Sequence, residues 1–247
     1  MPESKSLQRY RSRIEHLEQH MQAIDVCITL ALDTTKANAP GAKTILDALG
    51  KEHAKYSRLK QPAGEGPRVF NYSKSQSFEH SLIALYRYFG EYLRGILGEM
   101  YAKDPLAVVG KVTGNSLQFH ELVNLGTYEA IVQRMIDVTF RRLEDERSTT
   151  KLLEKIIGHT KIKIDEATRE EALRYLELRH LFIHNNGKCD ASFEKAHGTH
   201  MKIKDGDDLP TDYKTTSAAV AAVTKLLKAI DHDLTHGKFI SPRGPAV

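Results

Sequence analysis

The chain has 247 residues, of which 40% are hydrophobic and 28% are charged, an ordinary composition for a globular protein with its own core. It has no run of about 18 or more apolar residues and no apolar N-terminal segment, so we expect neither a membrane span nor a secretory signal. Two cysteines are too few for a disulfide framework, and we expect a cytoplasmic protein. The net charge of +4 permits contact with a phosphate backbone without requiring it.

Apolar residues recur at spacings of three and four along most of the chain, which is the period of an amphipathic helix. The predicted helices cover about residues 6–32, 77–101, 117–144, 149–157, 165–184 and 211–234. Few segments alternate apolar and polar residues in the way that a β-strand does. The sequence therefore predicts an all-α, up-and-down bundle of about five to six helices.

The segments between these helices interrupt the period. Residues 33–71 contain several prolines and glycines, so we expect a loop-rich excursion with one short helix at about 42–59. A later loop ends in residues 201–208, which resemble a short hairpin. Residues 1–236 are predicted to form one helical domain, and residues 237–247, with two prolines and two glycines, a flexible tail.

Ionisable side chains crowd the last three turns of the helix predicted at 165–184, beside a broad apolar face, and the helix ends at Asn-Asn-Gly. These side chains are Arg174, Glu177, Arg179, His180 and His184. Because these ionisable side chains lie next to a strongly buried face, we expect them to be partly desolvated.

Helix geometry constrains how these side chains can cooperate. At about 100° per residue, His180 and His184 lie about 40° apart and share one face. Arg179 and His184 diverge by about 140° and lie about 7.5 Å apart along the axis, so a rigid helix does not aim both at one atom. The long stem of arginine covers part of that difference, and the Asn-Asn-Gly terminus can turn His184 out of line.

A histidine and an arginine together suit RNA cleavage without a metal. Attack of a ribose 2′-OH on the adjacent phosphate needs a base that titrates near neutral pH and a fixed cation for the developing charge. Histidine supplies the base, and arginine binds the phosphate through two parallel hydrogen bonds. Because RNA supplies its own nucleophile, no serine or cysteine nucleophile is required.

Arg179, four intervening residues and His184, late in an amphipathic helix, resemble the Arg-x4–6-His signature of the HEPN superfamily. His180 matches the polar residue that commonly follows the arginine in that family. The Asn-Asn-Gly terminator, the turn at 205–208 and the final helix resemble the usual continuation. The resemblance covers the flanking helices loosely and residues 33–71 not at all, and Asn186 stands where some toxin members have a tyrosine.

Membership of this family implies a metal-independent endoribonuclease in a four- to five-helix bundle that forms a homodimer, with two copies of the motif in one cleft. It implies RNA as the substrate and no cofactor. His184 would act as general base or acid, Arg179 would bind the phosphate, and His180 would support them. Many members act in toxin–antitoxin or anti-phage systems, which implies an antitoxin or regulatory protein as a partner.

Three further residues are candidates for binding the substrate. Asn185 and Arg174 flank the motif, and Glu79 matches the carboxylate that HEPN sites often receive from another helix. An alternative explanation of Glu79 is a favourable interaction with the dipole at the start of its own helix.

Other interpretations of the same residues stay open. Arg179 could form an ion pair with a carboxylate such as Glu177 or Glu91, and His184 could cap its helix. His180 and His184 have the spacing of a metal-binding pair, but no His-Glu-x-x-His pattern and no third ligand accompany them. The bundle could therefore be catalytically silent and bind RNA or a nucleotide as a sensor, or serve only for dimerisation.

Two other groups invite a functional interpretation. His197 and His200 form a second histidine pair, for which a surface loop is the simpler explanation. A basic series could form an RNA track or a solvated helix face. Its members are Arg134, Arg141, Arg142, Lys151 and Lys155.

Overall fold

A computed structural model of the chain describes residues 3–51, 54–104, 118–144, 157 and 162–242. Within these ranges the chain is helical and forms no β-strand, which confirms the predicted all-α class. The helices are α1 (Lys5–Asn38), α2 (Ile45–Leu49), α3 (Gly66–Lys103), α4 (Phe119–Leu125), α5 (Tyr128–Glu144), α6 (Glu166–His184), α7 (Ala191–Phe193), α8 (Thr199–Met201) and α9 (Tyr213–His236).

Helices α1 and α3 are longer than predicted. α1 continues to Asn38 and α3 begins at Gly66, so the irregular segment between them covers 39–65 rather than 33–71. The sequence prediction treated Pro67 as a loop residue. Proline is compatible with the first turn of a helix, because the N–H that it lacks has no partner there.

The helix predicted at 117–144 is divided into α4 and α5. Gly126 ends α4 with a positive φ of 69°, a left-handed conformation that glycine adopts without strain. The helix predicted at 149–157 lies outside the described residues, apart from Ile157.

The hairpin predicted at 201–208 is wrong. Residues 202–208 contain turns and no strand, and the residues before them, 191–201, are helical, with a π-helical turn at Glu194–Gly198 between α7 and α8. The Asp190 side chain starts this segment by accepting a hydrogen bond from the Phe193 N–H at 2.8 Å. Only an isolated bridge between Lys188 and Asp208 resembles strand pairing in this part of the described chain.

The first residues of the predicted tail pack against the bundle. Ile240 is buried in the core, and the backbone of Phe239 and Ile240 donates hydrogen bonds to the Leu234 carbonyl. The buried Ile240 side chain thereby anchors the start of a segment whose prolines and glycines had predicted a flexible tail. Residues 243–247 lie outside the described part.

One continuous apolar core joins the long helices. α1 packs mainly on α3, and α6 packs on α9 and α3. α1 and α3 approach closely at Gly95, where a β-carbon would collide with the Ser6 side chain. The largest fully buried side chains are Tyr10, Met21, Ile45, Phe78, Leu85, Phe89, Tyr92, Leu93, Ile96 and Leu176.

A buried carboxylate connects three of these helices. Asp231 of α9 is 1% exposed and accepts hydrogen bonds from the Ser4 N–H at 3.0 Å, the Ser4 hydroxyl and the Tyr92 hydroxyl at 3.3 Å. Ser4 also caps α1 by accepting the Leu7 N–H at 2.9 Å. Burial and then the charge of Asp231 raise the pKa of Tyr92, which keeps its hydroxyl a donor.

We expect Asp231→Ala to lower the free energy of unfolding by about 3 kcal/mol, because it leaves buried donors on Ser4 and Tyr92 without an acceptor. Urea denaturation followed by circular dichroism measures this change. Asp233→Ala, two residues away and partly exposed, is the matched control and should change stability by less than about 0.5 kcal/mol. Equal effects of the two substitutions would contradict the role given to Asp231.

Candidate functional site

The helix that carries the motif begins and ends close to where the sequence predicts. Asp165 caps α6 by accepting hydrogen bonds from the Thr168 N–H and hydroxyl, each at 2.9 Å, and these bonds lower the pKa of the Asp165 carboxyl. At the other end, the Asn185 and Gly187 N–H groups donate to the Leu181 carbonyl, with Gly187 at a φ of 72°. α6 is therefore a rigid frame with a defined last turn.

His180 and His184 lie side by side on the exposed surface of the last turns of α6. Their ring centroids are 4.7 Å apart, with the ring planes tilted by 45°. Both residues are exposed, so the expectation that burial would desolvate them is wrong. The apolar face of α6 is directed elsewhere, and the two rings are accessible to a ligand from solvent.

Arg179 faces α3. Its guanidinium lies over the Tyr86 ring, 5.1 Å from the centroid, and the residue is half-buried. It lines a groove of about 340 Å³ between α3 and α6, together with Arg87, Glu91 and Arg94. Arg179 does not form the ion pair with Glu91 that the sequence offered as an alternative, because Glu91 pairs with Arg13 and Arg87.

The structure keeps Arg179 and His184 on different sides of α6. His184 is still within the helix, and the chain turns only after it, so the Asn-Asn-Gly terminus does not redirect the histidine. The predicted divergence of about 140° therefore applies to the folded subunit. Arg179 is directed at the groove, and His180 and His184 lie on the adjacent solvent-facing side.

The predicted substrate-binding residues are not gathered at one point. The Asn185 side chain donates to the Lys188 carbonyl at 2.8 Å, which stabilises the turn after α6. Glu79 accepts a hydrogen bond from Gln76 at 2.9 Å and lies one turn before Ile83, a residue that lines the groove. Arg174 is on another side of α6, and its buried Nε has no hydrogen-bond partner among the described residues.

The sequence prediction missed a histidine–carboxylate pair. His197 Nε2 lies 2.9 Å from Glu177 Oε2, both side chains are partly buried, and the His197 ring contacts Phe193 with centroids 4.9 Å apart. His197 belongs to the π-helical turn, not to the surface loop that the sequence predicted. Glu177 shares the face of α6 that carries His180 and His184, three and seven residues later.

The structure describes the side chain of one member of the predicted basic series. Arg134 pairs with Glu121 at 3.4 Å, and the side chains of the other members of the basic series lie outside the described part. No cluster of three or more His, Cys, Asp or Glu side chains among the described residues is arranged to hold a metal ion. Cys27 is exposed; burial and then the nearby carboxylates raise the pKa of Cys189.

In the described ranges, every helix is too short or too polar to cross a membrane. Comparison with known proteins adds no further assignment: the chain matches no protein-family model, no curated protein and no solved structure.

The left-handed turn after α6 makes a testable contribution to the site. We expect Gly187→Ala to lower the free energy of unfolding by about 1 kcal/mol, because a β-carbon is strained at a φ of 72°. Gly41→Ala is the matched control, since nothing lies within 4 Å of its added β-carbon. Urea denaturation of both variants checks the difference, and an unchanged Gly187→Ala protein would contradict it.

Proposed function

We propose that the chain is a metal-independent endoribonuclease of the HEPN type that cleaves RNA with Arg179, His180 and His184. The supporting observation is that the end of α6 presents two adjacent, solvent-accessible histidines and, on its neighbouring side, an arginine directed into a basic groove. These groups are a base, an acid and a phosphate-binding cation on one rigid element. The resemblance implies a toxin or anti-phage effector that acts on RNA in the cytoplasm, restrained by an antitoxin or regulatory protein.

The chemistry assigns one role to each group. One histidine removes the proton of a ribose 2′-OH, and the oxygen forms a bond to the adjacent phosphorus. The bond from phosphorus to the 5′ oxygen breaks, and the other histidine protonates that oxygen. Arg179 stabilises the charge on the phosphate oxygens. The products are a 2′,3′-cyclic phosphate and a free 5′-OH, and no water is consumed in this step.

The separation of Arg179 from His184 favours a composite site in a homodimer. In a two-fold dimer, Arg179 of one subunit serves His184 of the other, and each dimer holds two such sites. The same separation favours a second candidate function, a bundle that binds RNA or a nucleotide in the groove without cleaving it.

Incubation of labelled RNA with the protein in EDTA separates these candidates. Cleavage to a cyclic-phosphate product is expected, with a loss of about 10²- to 10⁴-fold in Arg179→Ala and in His184→Ala. His236→Ala is the matched control, because His232 and His236 form a similar exposed pair on α9 with centroids 6.0 Å apart. Intact RNA with retained binding would support the silent binding module, and activity abolished by EDTA would contradict the mechanism.

Mixing the two inactive variants tests the composite site. If Arg179 and His184 act across the dimer, each mixed dimer of Arg179→Ala and His184→Ala regains one intact site. After subunit exchange at equal concentrations, activity should recover to about a quarter of the wild-type value. No recovery, with exchange verified by mass spectrometry, would place the complete site within one subunit.

A further inference from the structure

Five arginines from three separate helices line one continuous surface of the bundle. Arg9 and Arg13 come from α1, Arg87 and Arg94 from α3, and Arg179 from α6. They line two adjacent grooves, of about 180 Å³ between α1 and α3 and about 340 Å³ between α3 and α6. The grooves share Glu91 and Arg94, so they flank one exposed ridge of α3. We call this surface the arginine groove.

The charge of the arginine groove is concentrated relative to the rest of the chain. Among the described residues, Glu91 is the one acidic residue that lines either groove, against five arginines. The net charge of this surface thus equals the +4 of the entire chain. A field concentrated in this way attracts a polyanion.

Tyrosine rings are interleaved with the guanidinium groups. Arg13 and Arg87 lie over the Tyr88 ring at 5.4 and 5.0 Å, and Arg179 lies over Tyr86 at 5.1 Å. Both tyrosines are half-buried at the base of the groove, which limits the motion of the arginines stacked on them. A guanidinium plane on an aromatic ring offers its donors to a phosphate and its outer face to an unstacked base.

We propose that the arginine groove binds single-stranded nucleic acid, with phosphates on the guanidinium donors and bases stacked on the outer faces of the guanidinium planes that Tyr86 and Tyr88 support. Phosphate recognition by planar guanidinium groups next to aromatic rings is the chemistry of single-strand binding. An acidic protein would pair with the arginines but would leave the guanidinium faces without a stacking partner. A duplex keeps its bases stacked on one another, so they could not stack on the guanidinium planes. This inference rests on the proposed ribonuclease function and specifies that its ligand is single-stranded. Both proposals use Arg179, but the binding surface extends well beyond the motif on α6.

Glu91 competes with phosphate for two of these arginines. It pairs with Arg13 and with Arg87, and those pairs must yield when phosphates bind. Removing its charge should therefore strengthen binding, whereas removing arginines should weaken it. Nonspecific attraction would give changes of these same signs, so a matched removal of charge on another face of the bundle is the comparison that distinguishes a specific groove.

The test uses a fluorescent 12-residue 2′-O-methyl oligouridylate, which has no 2′-OH nucleophile and therefore reports binding without cleavage. Fluorescence anisotropy should give a slope of log K against log salt of about −3 for the wild type, falling to about −1.5 in Arg87→Gln/Arg94→Gln. The double variant should bind about 10- to 30-fold more weakly, and Glu91→Gln about fivefold more tightly. Tyr88→Leu should lose about tenfold.

Lys214→Gln/Lys228→Gln on α9 removes the same charge from two exposed positions and is the matched control. Equal weakening in the control and the groove variant would overturn the proposal, as would tighter binding of a 12-base-pair duplex or equal binding of poly-glutamate. Circular dichroism verifies that each variant is folded. If the variants change binding in the expected directions but the wild type does not cleave RNA, the groove proposal stands and the ribonuclease proposal fails. If the protein cleaves RNA but Arg87→Gln/Arg94→Gln binds the oligonucleotide as the wild type does, the ribonuclease proposal stands and the groove proposal fails.

Discussion

The hydrogen-bonded Asp231 carboxylate constrains the rest of this bundle. A carboxylate that is 1% exposed is tolerated only when its oxygens are satisfied, and here the donors come from Ser4 before α1 and from Tyr92 of α3. Hydrophobic packing alone allows helices to slide or rotate by small amounts. Directional bonds to one buried acceptor fix the positions of α1, α3 and α9 together, and α1 and α3 carry four of the five arginines of the arginine groove.

The candidate site on α6 has two parts, because its side chains project from two different sides of the helix. Arg179 faces α3 and stacks on Tyr86, whereas His180 and His184 face solvent, and Glu177 on the same side pairs with His197. A straight helix cannot bring these sides together. Within one subunit the arginine lines the groove and the histidines form an exposed pair, and we therefore propose that a second copy of the motif completes the site.

Local pattern predicted much of the fold. The period of three and four in the apolar residues located α1, α3, α6 and α9, and the Asp165 cap and the Asn-Asn-Gly terminator located the ends of α6. The errors occurred where local signals were ambiguous. Pro67 was compatible with a helix start, the segment with His197 became helical after the Asp190 cap, and Ile240 packed into a core that the tail composition did not indicate.

The sequence by itself determined the all-α class, the motif helix and the angle between Arg179 and His184, because each depends on neighbours within a few turns of one helix. Only the tertiary structure decided which side chains from distant segments meet. The arginine groove gathers residues from 9 to 179, the Asp231 network joins residues 4, 92 and 231, and His197 reaches Glu177 across a turn. Such contacts depend on how helices are rotated and packed against one another, and the period of a single helix carries no information about its partner.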